Sequence, residues 1–143
     1  MFRYAEGNYR KGIKMTMSTL EVGNRLVELV KEGENRKAIE ELYADDAVHR
    51  EAMGGDESWP QEASGKQKLL ELSDRWFEMF EVHGGDIDGP YPHDDAFICM
   101  LSVDVTGREG PMKGQRMEMK EAARYEVRDG KITRADFYYH YDC

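Results

Sequence analysis

Glu121, Arg134, Asp136, Tyr138 and His140 are polar side chains set among apolar neighbours on two segments that the sequence couples tightly. Gln115–Val127 and Lys131–Tyr141 both alternate, and Arg128-Asp129-Gly130-Lys131 separates them. Asp-Gly between alternating runs predicts a two-residue hairpin turn. Pairing Arg128 with Lys131 sets Val127 opposite Ile132, Tyr125 opposite Arg134, Ala123 opposite Asp136, Glu121 opposite Tyr138 and Met119 opposite His140. All of these share one face, because side chains alternate along strands. Val127, Ile132, Met119 and Met117 mark it as the core side, so Glu121, Asp136 and Tyr138 are expected mid-strand in apolar surroundings. Polar groups there are costly unless paired. Carboxyls beside Tyr and His in an apolar cavity make a proton-transfer site, since desolvation and a second carboxylate both raise a carboxyl pKa. The same residues also read as structure alone: an ion pair of Asp136 with Arg134, and a hydrogen bond of Glu121 with Tyr138. A bulge would shift the pairing and separate the cluster.

Other groups weigh less. The histidines at 49, 83, 93 and 140 show neither HxH nor HExxH spacing, so no metal site is expected. His83 follows the third helical segment and reads either as a general acid or base or as a hydrogen-bonded structural residue. Trp76 reads as core packing or as a ligand wall; with Tyr138, Met119 and Tyr125 it completes the expected ligand-binding set. No glycine-rich phosphate loop follows a strand and opens a helix.

These groups must be held by the elements around them. Ser18 with Glu21 is a capping-box pattern, and Val22, Leu26, Leu29 and Val30 then follow at helical spacing to Gly33. A short helix is predicted over Asn35–Tyr43, a strand over Ala47–Arg50, and a long loop over Glu51–Gly65. Ser64 is expected to cap a third helix, Lys66–Phe80, with an apolar stripe through Leu69, Leu72, Trp76, Phe77 and Phe80. Strands are predicted over Glu81–Asp88 and Asp95–Thr106, ahead of the hairpin. Helices first and antiparallel strands after make an α+β domain.

The chain has 143 residues, enough for one domain with a core. It carries 20 basic and 29 acidic residues, net −9. Residues 1–16 hold four basic residues and one acid, so the remainder is more acidic still. Such a body repels phosphate backbones, and no nucleic-acid partner is expected. No apolar run is long enough to span a membrane. Cys99 and Cys143 form no CxxC, which points to a reducing, cytoplasmic setting. Residues 1–16 lack a signal-peptide core and read as a flexible extension, with the natural start at Met15 or Met17 and a single domain over 17–143.

From Leu20 to Tyr139 the chain resembles the SnoaL-like branch of the nuclear transport factor 2-like superfamily, kin to ketosteroid isomerase. The resemblance is carried by Ala38-Ile39-Glu40-Glu41-Leu42-Tyr43-Ala44-Asp45-Asp46-Ala47-Val48, then Gly65-Lys66, Glu81-Val82-His83 and Gly89-Pro90-Tyr91. It ends in Gly114-Gln115-Arg116-Met117-Glu118-Met119-Lys120-Glu121 and Asp129-Gly130-Lys131-Ile132. It implies a cone-shaped α+β fold: a curved antiparallel sheet wrapped around about three N-terminal helices, a cystatin-like roll with a deep pocket. It also implies a homodimer through the convex sheet face, where Ala122, Phe137, Tyr139 and Tyr141 would lie. Glu51 falls at the position of the isomerase base, and Glu118 or Glu121 at that of its strand acid. Leu26 or Val27 stands where the helix tyrosine would be, which argues against steroid-type isomerisation and leaves other proton transfers open.

Two functions follow. In one, Glu51 or Glu121 abstracts a proton next to a carbonyl of a small, largely apolar molecule. Asp136, Tyr138 or His83 then stabilises the oxyanion or returns the proton, as in an isomerase, cyclase or dehydratase, and no cofactor is needed. In the other, the domain binds a ligand or dimerises without catalysis.

Overall fold

The computed structural model describes residues 16–141. The expected extension over residues 1–16 therefore lies outside the described residues, apart from Thr16. Three helices, α1 (Thr19–Lys31), α2 (Asn35–Leu42) and α3 (Lys66–Met79), pack on a six-stranded sheet. Its strands are β1 (Tyr43–Arg50), β2 (Glu62–Ser64), β3 (Phe80–His93), β4 (Ala96–Gly107), β5 (Arg116–Arg128) and β6 (Lys131–Tyr138). The spatial order is β2-β1-β6-β5-β4-β3. The expected α+β cone holds, with a curved sheet that stays open. One pairing, β1 with β6, is parallel, so the sheet is mixed.

Helix α1 starts as its sequence dictates. Ser18 accepts from the Glu21 backbone N–H at 3.1 Å, and the Glu21 carboxylate accepts from Ser18 N–H at 2.8 Å. Its buried Val22, Leu26 and Leu29 meet Phe97, Cys99 and Tyr125 in one core. Gly23 permits that approach: a Cβ there would stand 2.7 Å from the Pro90 ring. Ser64 does not cap α3, contrary to expectation. It pairs with Val48 in β2, inside the segment read as loop, and Gly65 at φ 95° turns the chain into the helix. Strand β3 runs on through Gly89-Pro90, absorbing the interruption as a break in register between Asp88 and Tyr91.

The hairpin turn forms as predicted. Asp129 and Gly130 both take positive φ, 53° and 74°, and Val127 pairs with Ile132. Both are buried, at 8% and 0% exposure. The register then shifts by one: Glu126 pairs with Arg134, leaving Thr133 as the extra residue of a bulge. The Thr133 hydroxyl donates to the Glu126 carbonyl at 3.3 Å. Beyond it Tyr125 faces Ala135, Ala123 faces Phe137 and Ala122 faces Tyr138. Because the side-chain period is two, this single residue reverses the faces expected for the rest of β6. A signal for it exists in the sequence. Apolar residues run at odd numbers from Ala135 through Phe137, while Ile132 is even, and a regular strand cannot bury both sets.

Candidate active site

Between the helices and the inner sheet face lies a cavity of about 880 Å³. Glu51 and Glu121 both line it. Glu51 follows the last residue of β1, where its backbone N–H donates to the Gln61 carbonyl at 2.7 Å. Glu121 sits mid-β5, opposite Leu101 of β4. Both are half-buried, and neither joins an ion pair among the described residues.

Two phenols reach these acids from the end of the chain. Tyr139 Oη lies 3.0 Å from Glu51 Oε1 and 3.2 Å from the Met53 carbonyl. Tyr141 Oη lies 3.2 Å from the Lys120 carbonyl and interacts with Glu121, the two groups shifting each other's pKa. Burial pushes Glu51 above the usual carboxyl range, with the Tyr139 bond opposing it. Burial and the Glu51 charge push Glu121 up to about 7. Burial raises Tyr141 to about 12, and Tyr43, Tyr125 and Tyr139 rise as well. The cavity therefore holds two carboxyls among phenols that stay neutral.

A second polar group sits on the β1 wall. The Tyr43 hydroxyl and His49 Nε2 are hydrogen-bonded at 2.9 Å, and Phe137 packs edge-on to the imidazole at 5.0 Å. Burial, opposed by the Asp136 charge, pushes His49 down to about 4, so its ring is neutral near pH 7. The remaining wall is apolar, with Leu69, Leu101 and Phe80 among its residues. No group of three or more His, Cys, Asp or Glu among the described residues could hold a metal ion.

Of the residues expected at the site, Glu51, Glu121, Trp76, Met119 and Tyr125 line the cavity. Three do not. The Thr133 bulge turns Asp136 to the outer face, where Arg134 holds it through Nε at 2.8 Å and Nη2 at 2.9 Å. The same bulge leaves Tyr138 outside the cavity and 55% exposed. His83 is exposed on β3 and hydrogen-bonded to Thr106 Oγ1 at 2.7 Å. Tyr139, Tyr141 and Phe137, expected at the convex face, line the cavity instead. His49 and Tyr43 are not among the residues expected at the site; the fold brings them together on the cavity wall.

Residues 17–139 match the model of the SnoaL-like domain family. A Mesorhizobium loti protein described as a SnoaL-like polyketide cyclase, with carbohydrate phosphatase as a second label, is 39% identical. The match covers 86% of this chain and 100% of that one, with a TM-score of 0.79. A nuclear transport factor 2-like protein from Burkholderia thailandensis is 15% identical over 87% of this chain and 92% of that one, TM-score 0.70. An LEH-like epoxide hydrolase from M. tuberculosis is 16% identical over 85% and 82%, TM-score 0.61. At such identities the last two show a common fold. No curated protein matches the chain.

Proposed function

The chain belongs to the SnoaL-like domain family, and from that premise we propose that it is a cofactor-free enzyme that moves a proton next to the carbonyl of a small, largely apolar molecule. The observation that carries this reading is the pair Glu51 and Glu121: two carboxyls in one apolar cavity, without an ion-pair partner among the described residues. Two such acids cannot both ionise cheaply, so the pair gives up its second proton at a higher pH than a lone carboxyl does. The Tyr139 bond favours the charge on Glu51, and that charge helps hold the proton on Glu121.

The roles follow from this split. Glu51, as carboxylate, takes the proton from the carbon beside the carbonyl. The electron pair moves onto the carbonyl oxygen, and Glu121, as acid, donates to that oxygen. Return of the proton from Glu51 to another carbon, as Glu121 takes back the proton from the enol oxygen, gives isomerisation. Attack of the enol carbon on a second carbonyl, with Glu51 giving its proton to the new alkoxide and Glu121 taking back the enol proton, gives ring closure, the type of reaction in the description of the Mesorhizobium loti relative. A structural role for the pair would instead favour a cation beside each acid.

Hydrogen–deuterium exchange at C1 of 2-tetralone in D2O, followed by NMR, tests the reading. The protein is expected to accelerate exchange, and Glu51→Gln to reduce the acceleration by about 10²–10⁴-fold. The rate should rise as Glu51 ionises and fall as Glu121 loses its proton through about 7. Exchange at the buffer rate with wild-type protein would leave the non-catalytic ligand-binding reading in its place.

The outer sheet face supports a further part of the reading. Met100, Ala122 and Tyr138 are consecutive cross-strand partners there, and Ile98 adjoins them. Ile98, Met100 and Tyr138 are 41%, 49% and 55% exposed. An apolar stripe of this kind favours association, and two copies meeting on this convex face make the homodimer. No helix among the described residues is long and apolar enough to cross a membrane. With Cys99 a buried free thiol, a reducing, cytoplasmic location completes the proposal.

A further inference from the structure

Tyr139 and Tyr141 alternate along the end of the chain, so both turn into the cavity, where their rings stack with centroids 5.0 Å apart and planes at 22°. Each hydroxyl has a backbone carbonyl within hydrogen-bond reach and a carboxyl that it interacts with. For Tyr139 they are Glu51 Oε1 at 3.0 Å and the Met53 carbonyl at 3.2 Å. For Tyr141 the carbonyl is that of Lys120, at 3.2 Å, and the carboxyl it interacts with is Glu121. A phenol has one proton to donate and lone pairs to accept with. It cannot donate to both neighbours at once.

We propose that Tyr139 and Tyr141 are positioning residues that serve Glu51 and Glu121 in both protonation states, each by turning its single phenolic proton between a carboxylate and a backbone carbonyl. When the carboxyl is ionised, the phenol donates to it. When the carboxyl is protonated, the acid O–H donates to the phenol oxygen, and the phenol O–H turns to the Met53 or Lys120 carbonyl. Neither state leaves a buried donor without an acceptor. A guanidinium cannot do this, because it only donates; Arg134 serves Asp136 in the ionised form alone. An acid that must gain and lose a proton in every turnover needs a partner of the phenol kind. Tyr139 also ties the state of Glu51 to Met53, a residue of the segment between β1 and β2.

Other titratable groups face the same cavity. Tyr43 and His49 from β1 and Tyr125 from β5 are neutral near pH 7. The exposed Lys31 of α1 and Asp86 of β3 complete the set. None of these is hydrogen-bonded to either carboxyl, whereas Tyr139 is hydrogen-bonded to Glu51 and Tyr141 interacts with Glu121.

The inference rests on the proton-transfer reading, but its test needs no substrate. Carbon-13 NMR of the glutamate carboxyls in the whole protein gives the midpoints of Glu51 and Glu121 directly. Tyr141→Phe is expected to move the Glu121 midpoint upward from about 7 by about one pH unit. Tyr139→Phe is expected to move that of Glu51 upward by a similar amount. Replacing tyrosine by 3-fluorotyrosine, a stronger donor of the same shape, should move both downward, and it serves where a Phe variant does not fold. Midpoints unmoved in folded Phe variants or in the fluorotyrosine protein would overturn the proposal. Where 2-tetralone exchange is measurable, its pH profile should shift with the midpoints. Shifted midpoints without any exchange in wild type would instead remove the enzymatic reading and leave the two tyrosines in place.

Discussion

Glu121 and Asp136 stand on neighbouring strands of one hairpin. The inner face leaves Glu121 with a phenol and a second carboxyl, whereas the outer face gives Asp136 a two-pronged guanidinium. The charge of Asp136 is answered where it stands. That of Glu121 is opposed by burial and by Glu51, so its proton is held up to about 7. Both are carboxyls that a regular hairpin would place on the same face. What separates them is Thr133, one residue without a cross-strand partner. A carboxyl becomes useful for proton transfer when the fold withholds a cation from it.

The largest effect should come from giving the inner face what the outer face has. Leu101 is the cross-strand partner of Glu121 on β4 and also lines the cavity. Leu101→Arg is expected to pair with Glu121 and pull its midpoint from about 7 to below the ordinary carboxyl value of 4.5. The acceleration of 2-tetralone exchange should then fall by about 10²-fold or more. A folded Leu101→Arg protein that keeps the Glu121 midpoint and the rate would break the comparison.

A smaller effect should follow from removing the charge instead of answering it. A carboxyl whose pKa is raised in the folded state contributes stability that is full below its unfolded value and is lost as pH rises through the folded one. For Glu121 that window runs from 4.5 to about 7. Glu121→Gln should therefore stabilise the protein by about 2 kcal/mol at pH 8, and by little at pH 4.5, in urea unfolding. His49 works in the opposite direction. Its depressed pKa means that stability is lost as pH falls from 6.5 through about 4, and the variant should keep that acid-side loss. A Glu121→Gln protein less stable than wild type at pH 8 would mark the residue as a structural contact.

The smallest effect on the chemistry belongs to the outer face. Wild-type protein at micromolar concentration is expected to sediment as a dimer, and Tyr138→Lys as a 16.5 kDa monomer, with the 2-tetralone rate unchanged. A wild-type monomer would remove the association. A rate lost together with the dimer would show that the two faces are not independent.

Much of this was legible in the residues. The Ser18–Glu21 capping box, the apolar stripe of α1 and the Asp129-Gly130 turn form as read, because each is settled within a few neighbouring residues. Glu51 and Glu121 were also legible, the first from the family resemblance and the second from its place among apolar alternations. Tyr139 and Tyr141 were placed on the wrong side, and Asp136 and Tyr138 with them, by extending a correct turn through a bulge. The segment read wholly as loop between Glu51 and Gly65 contains β2, whose three residues pair only because β1 runs beside them. Short strands draw their stability from a partner distant in sequence, so local pattern shows them poorly.

The sequence by itself determined the helices, the position of the turn, the alternation of β4 and β5 and the presence of two acids near apolar residues. Those features depend on backbone preferences and on spacings of two to four residues. The tertiary structure alone decided which face of β6 looks inward. Its strand must pair with β5 on one side and, in parallel, with β1 on the other. The register that satisfies both and buries Ala135 beside Ile132 requires one unpaired residue. With a side-chain period of two, that residue moved two tyrosines to the acids and one carboxylate away to its arginine.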